Sequence, residues 1–339
     1  MSTSSRIKTR DSPKPRGETD NATEQKEKDS NPAGIQDLRA EFEQLFKAKA
    51  WRGVNNLPKE RGNRRALVVA INYGERRPPH RLHGTFVDAL RIIRMLEGFE
   101  YKPGDICVLA DIAIPSCTAD CESDSSEGDD SESRLPKRVN ILRGLKWLAS
   151  GGGPGKYRFL FFSGHGHFQP SQLSSTSNQC IMPEDVKFQR LQSCNDCVCS
   201  ENVWRASDQP GEPMLVPEPL SVLWDHNINQ RLCTSLDSGT KFTAVFDMCW
   251  AACRRLESAL EDQRHAGRFT EAFTEFMTRP RVKEETQLPR STEVLINHLR
   301  VKFEAYNEEA RKNEWPEQHP KLFLSSGLQS DYLLKEPDI

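Results

Sequence analysis

The stretch YRFLFFSGHGHF, residues 157 to 168, decides the reading of the chain. Its first half, Tyr157 to Phe162, is an apolar run of the kind that forms a buried strand. It breaks into Ser163-Gly164-His165-Gly166-His167, and a strand that only fills a core has no use for two histidines set between glycines. Gly164 and Gly166 are expected to let the chain turn sharply around His165 and leave it exposed at the strand's end. In open α/β sheets, reactive groups collect outside the carboxyl ends of the strands. His165 is therefore the first candidate for chemistry.

Outward from this stretch the same grammar repeats. RALVVAINY (65–73), DICVLAD (105–111) and TKFTAVFDMCW (240–250) read as further strands, and PKLFLSS (320–326) as a closing one. Between them, TFVDALRIIRMLEG (85–98) sets Phe86, Leu90, Ile93 and Leu96 on one helical face and stops at Gly98; RVNILRGLKWLAS (138–150) is a second helix. GRFTEAFTEFM and STEVLINHLRVKFEAYNEEARK supply two more near the end. Strands without period-2 alternation, separated by amphipathic helices, predict an α/β domain with a mostly parallel central sheet flanked by helices on both faces.

Composition sets the limits. The 339 residues are 36% hydrophobic and 28% charged, enough for one ordinary core with tails. A net charge of -2 gives no overall bias towards nucleic acid or anionic membrane. The start, MSTSSRIKTRDSPKPRG, lacks an apolar signal-peptide centre, so the ten cysteines are expected to be reduced thiols, metal ligands or a nucleophile in a cytoplasmic chain that could also be nuclear. A monomer is expected. Residues 1–63 read as a disordered tail carrying a short amphipathic helix near 35–51, with Leu38, Phe42, Leu45 and Phe46 at helical spacing. The folded domain is expected over 64–334, interrupted by an acidic insertion at 117–134 and a cysteine-containing one at 168–218. Both are read as lying outside the core.

The acidic insertion fails the calcium-loop pattern, because Arg134 stands where the twelfth-position Glu would be. In the second, Cys194, Cys197 and Cys199 with Cys180 upstream could close around zinc, or remain free thiols. Three other strand-associated positions carry groups that a core would not choose: Asp88, Asp247 and Cys249. A cysteine is a nucleophile only as thiolate, and a histidine on a neighbouring strand is the natural base for it.

RALVVAINY, LHGTFVDA, FFSGHG and FTAVFDMCW, in that order, resemble the successive motifs of type I metacaspases, cysteine peptidases of caspase-like fold; GRFTEAF and QHPKLFLSS resemble later segments of the same family. The resemblance implies that His165 and Cys249 form the catalytic dyad, and that backbone amides at Gly166 and Cys249 hold the oxyanion. It implies further that Asp88 and Asp247 line the pocket for an Arg or Lys side chain before the scissile bond. Two carboxylates there favour a cation and repel Asp. Protein or peptide substrates follow, with self-processing in CRRLESALEDQRHA (253–266), which carries Arg254, Arg255 and Arg264. His167 reads as structural.

The departures are as specific. Where the family writes Asp-Ser-Cys-His-Ser-Gly, this chain has Asp247-Met248-Cys249-Trp250-Ala251-Ala252. That leaves a second reading open, a catalytically inactive regulatory or binding protein. The family's calcium acids are also thinned, with Asp225, Glu184 and Asp185 as the remaining ligands of a weak site. No cofactor is expected to be required.

Overall fold

The computed structural model describes residues 32–58, 62–74, 81–112, 131–169, 178–190, 204–205, 214–250, 267–279 and 292–313. Helix α1 (Pro32–Lys47) leads to β1 (Arg64–Ala70), α2 (Thr85–Gly98), β2 (Ile106–Ala110), α3 (Arg138–Ala149) and β3 (Tyr157–Gln169). Five short strands follow: β4 (Asn178–Ile181), β5 (Phe188–Arg190), β6 (Trp204–Arg205), β7 (Met214–Pro217) and β8 (Leu223–Trp224). Then come α4 (Asp225–Cys233), β9 (Lys241–Trp250), α5 (Arg268–Thr278) and α6 (Thr292–Lys312). The central sheet runs β2-β1-β3, with β9 on the other side of β3; these four strands are parallel. β4 joins β3 antiparallel and β8 joins β4 antiparallel, while β5, β7 and β6 form a separate small sheet.

Burial explains the apolar strands. Ala66, Val68, Phe159, Phe161 and Val245 pack into one core with Phe42 of α1, Leu90 of α2, Phe273 of α5 and Leu299 of α6. Leu67, Val69, Leu160 and Phe162 pack into a second core with Leu145 of α3 and Leu232 of α4. With both faces covered, no position from Ala66 to Ala70 has a reason to be polar, which is why this run does not alternate. This is an α/β caspase-like fold. No described helix is long and apolar enough to cross a membrane.

Several expectations shift. β3 does not end at His165: it runs through both glycines to Gln169 without a sharp turn, and His165 is buried rather than exposed. The 168–218 segment is not wholly outside the core, because β4 lies in the central sheet and Cys180, Ile181 and Met182 are buried. A four-residue strand bounded by polar residues carries too short a pattern to be read. The end of the acidic segment is also internal. Arg134 is buried, its guanidinium donates to the Phe46 carbonyl at 2.6 Å, and it stacks 3.9 Å from the Phe46 ring centroid. Guanidinium is planar and weakly hydrated, so it can seal a helix end where an ammonium would not. Residues 320–326 lie outside the described residues.

Helix α1 is anchored by aromatic packing: the Phe42 ring stacks on Phe86 of α2 at 5.3 Å and on Trp51 at 5.5 Å, with no exposure. Phe42→Ala is therefore expected to destabilise the domain by about 3–5 kcal/mol in equilibrium denaturation. A loss below about 0.5 kcal/mol, the range of ordinary surface changes, would show that α1 is not part of the core.

Candidate active site

The site is set by strand register. β3 and β9 pair in parallel from Tyr157 with Lys241 to Gly166 with Trp250, and this register makes His165 the direct partner of Cys249. Neighbouring strands lie ~4.8 Å apart, so the two residues occupy adjacent positions without any loop to bring them together. Gly166 stands between Trp250 on one side and Ile181 of β4 on the other.

The opposite side of β3 changes partner at this level. β1 pairs with β3 up to Ala70 and Ser163, and the Ile71 amide then donates to the Ser163 carbonyl at 2.9 Å. β4 takes over at Gly166. Between the two, Tyr73 fills the gap: its hydroxyl accepts the His165 backbone N–H at 3.0 Å and donates to the Met182 carbonyl at 2.5 Å. The Met182 amide returns a bond to the His165 carbonyl at 3.0 Å. The tyrosine and imidazole rings face each other at 4.6 Å. Gly164 serves this packing rather than a turn, since a Cβ there would sit 2.9 Å from Phe162 and 3.2 Å from the Tyr73 hydroxyl.

The two acids converge beside Gly267, and with them come residues the sequence reading missed. Asp88 lies buried in the first turn of α2. Asp247 reaches the start of α5, where its Oδ2 accepts the Thr270 hydroxyl at 2.6 Å and the Thr270 amide at 3.2 Å. A Cβ on Gly267 would overlap Asp247 Oδ2 and lie 2.8 Å from Asp88 Oδ2. Gly267 is thus the floor on which both carboxylates meet. Burial pushes the Asp247 carboxyl above the usual carboxylate range, against the pull of the two Thr270 bonds. Thr270 and Gly267 stood in GRFTEAF, but nothing local marks them as partners of an acid two elements away.

Burial depresses the basicity of His167, which pairs with Cys180 across the β3–β4 ladder. The Cys180 thiol is pushed up to about 12 by burial and packs with Met182, Val186 and Val222. Cys194, Cys197 and Cys199 lie outside the described residues. The antiparallel β4–β8 register carries Asp225 past the Cys180 end of the ladder, and Glu184 and Asp185 past the Ile181 end. Asp185 accepts the first amide of α3 at 2.8 Å, and Asp225 accepts the His226 amide at 2.7 Å. Among the described residues no three His, Cys, Asp or Glu side chains form a metal-holding group.

A caspase-like sheet that places a histidine beside a cysteine on adjacent parallel strands defines a class of cysteine peptidase folds. Residues 64–198 match the family model "Metacaspase, peptidase C14 domain", a span that holds Asp88 and His165 and stops short of Asp247 and Cys249. The chain is 31% identical over 190 residues to metacaspase-1 of Saccharomyces cerevisiae (strain ATCC 204508 / S288c), covering 56% of this chain and 33% of that protein. It is 25% identical over 194 residues to metacaspase-5 of Trypanosoma cruzi (strain CL Brener), covering 56% and 33%. It is 24% identical over 214 residues to "Inactive metacaspase-4" of Trypanosoma brucei brucei, covering 62% and 47%. Over this part of its length the chain is similar to metacaspases. The matches span between a third and a half of these relatives' own length.

The raised Asp247 carboxyl has a consequence for stability. A carboxyl whose pKa is higher folded than unfolded contributes stability at low pH that is lost as pH rises through the folded value. Asp247→Asn keeps an acceptor for Thr270 without the charge, so it should melt above the wild type at pH 7, with the gap closing towards pH 4. A variant that melts lower at pH 7 by an amount independent of pH would contradict the assignment of burial as the dominant effect.

Proposed function

We propose that this chain is a cysteine endopeptidase that cleaves proteins after Arg or Lys. The observation that carries the reading is the register pairing of His165 with Cys249 across β3 and β9. His165 takes the thiol proton of Cys249, and the sulfur forms a bond to the scissile carbonyl carbon. Amides at Gly166 and Cys249 hold the resulting oxyanion. The imidazolium returns its proton to the leaving amine as the C–N bond breaks, and His165 then activates water to release the acyl group. Convergence of Asp88 and Asp247 supports a cationic side chain before the cut, since a guanidinium or ammonium would offset two carboxylates that meet beside Gly267. Substrates are taken to be proteins and peptides; self-cleavage within 253–266 lies outside the described residues. A cytoplasmic or nuclear monomer, without nucleic-acid or membrane partners, is part of the same proposal.

A second reading, an inactive regulatory protein of the same fold, is favoured by Trp250-Ala251-Ala252 after the cysteine and by a relative whose name marks it inactive. Fluorogenic peptides ending in Arg, Lys or Asp, assayed with and without calcium, separate the two. Cleavage after Arg and Lys should fall at least about 1,000-fold in Cys249→Ala and in His165→Ala, and Asp88→Asn should weaken Arg over uncharged peptides by about tenfold. Cleavage that survives Cys249→Ala, a preference for Asp, or no cleavage by folded protein in any condition would overturn the peptidase reading.

A further inference from the structure

We propose that Tyr73, held in place by Asp111, is a positioning residue for His165. β1 has left the sheet by the level of His165 and β4 joins only at Gly166, so no strand stands beside the His165 amide on that side. The Tyr73 hydroxyl stands in for the missing strand. It accepts the His165 N–H and donates to the Met182 carbonyl, coupling the histidine to the segment after β4. The ring meanwhile lies against the imidazole, which restricts the plane in which His165 can face its partner on β9.

The backbone reveals what this placement requires. Tyr73 has φ of 56°, in the left-handed region that a bulky side chain rarely adopts. Such a conformation persists only where its surroundings impose it, and it concentrates at functional sites. Asp111, at the carboxyl end of β2, imposes it: its carboxylate accepts the Asn72 amide at 2.7 Å and the Gly74 amide at 3.2 Å, with a further bond from the Tyr73 amide. One carboxylate therefore gathers three successive amides and turns the tyrosine back over β3. Had β1 continued as regular strand, Tyr73 would have no path to the His165 amide. Gly164 clears the space the hydroxyl needs. No part of this unit touches the scissile bond in the proposed chemistry; Tyr73 acts through His165 by limiting its orientations to those that reach the thiol.

The proposal deepens the peptidase reading, and its test is built to fail separately from it. Tyr73→Phe keeps the ring and removes the hydroxyl. For the full chain cleaving an Arg peptide, kcat corrected for the titrated active fraction should fall about 10- to 100-fold while KM stays within about twofold, because orientation and not substrate binding is lost. Phe42→Ala, which weakens the core away from the site, should leave that corrected kcat unchanged. The second arm needs no activity: the imidazole ring resonances of His165 should be sharp in the wild type and exchange-broadened or doubled in Tyr73→Phe. Asp111→Asn should give the same two changes, and the double variant should be no worse than the worse single one, as expected of groups acting as a unit. If Tyr73→Phe does not fold, Asp111→Asn alone carries both readouts. An inactive wild type with broadened His165 signals in the variant would sink the peptidase and keep the clamp. Unchanged kcat, or unchanged His165 signals in the folded variants, would overturn the clamp.

Discussion

The molecule depends on β3 keeping a partner on each side as it passes His165. On one side the parallel ladder with β9 runs on to Gly166 and Trp250 and supplies Cys249 as the neighbour. On the other the partner is exchanged, from β1 at Ser163 to β4 at Gly166, with one tyrosine hydroxyl covering the joint. A buried backbone amide without a partner costs free energy comparable to a lost hydrogen bond, so an exchange of strands inside the sheet needs such a bridge. The exchange is also what makes a site possible. Where β1 turns away, the histidine is held by main-chain bonds to Tyr73 and Met182.

The acidic pair imposes the second constraint. Two carboxylates that meet disfavour one another, and Asp247 is held by the Thr270 amide and hydroxyl at the start of α5. That arrangement ties β9 to a helix packed on α2, so the cysteine strand, the Asp88 helix and α5 form one unit.

Much of this was legible in the sequence, and the remainder was hidden for definable reasons. The four parallel strands and their helices followed from apolar runs such as Ala66 to Ala70, which show no alternation because both faces are buried. Asp88, Asp247, His165 and Cys249 stood out because each is a polar or reactive group where a core would place an apolar one. Gly164 was read correctly as special and for the wrong reason: the space it leaves is filled by a side chain distant in sequence, which no local pattern records. β4 escaped because Cys180 and Ile181 form too short a run. Asp111 escaped although the same strand-end argument applied to it, since its role is to hold a turn through main-chain amides and not to face a substrate.

The most direct test of the central claim is covalent capture. The folded chain would be treated with peptide electrophiles of matched reactivity, one bearing Arg and one bearing Asp, and the modified residue located by mass spectrometry in the wild type and in His165→Ala. The account predicts that the Arg probe marks Cys249 well ahead of the Asp probe, and that the mark is lost without His165. Labelling spread over other cysteines, equal capture by the Asp probe, or full labelling of Cys249 in His165→Ala would contradict it.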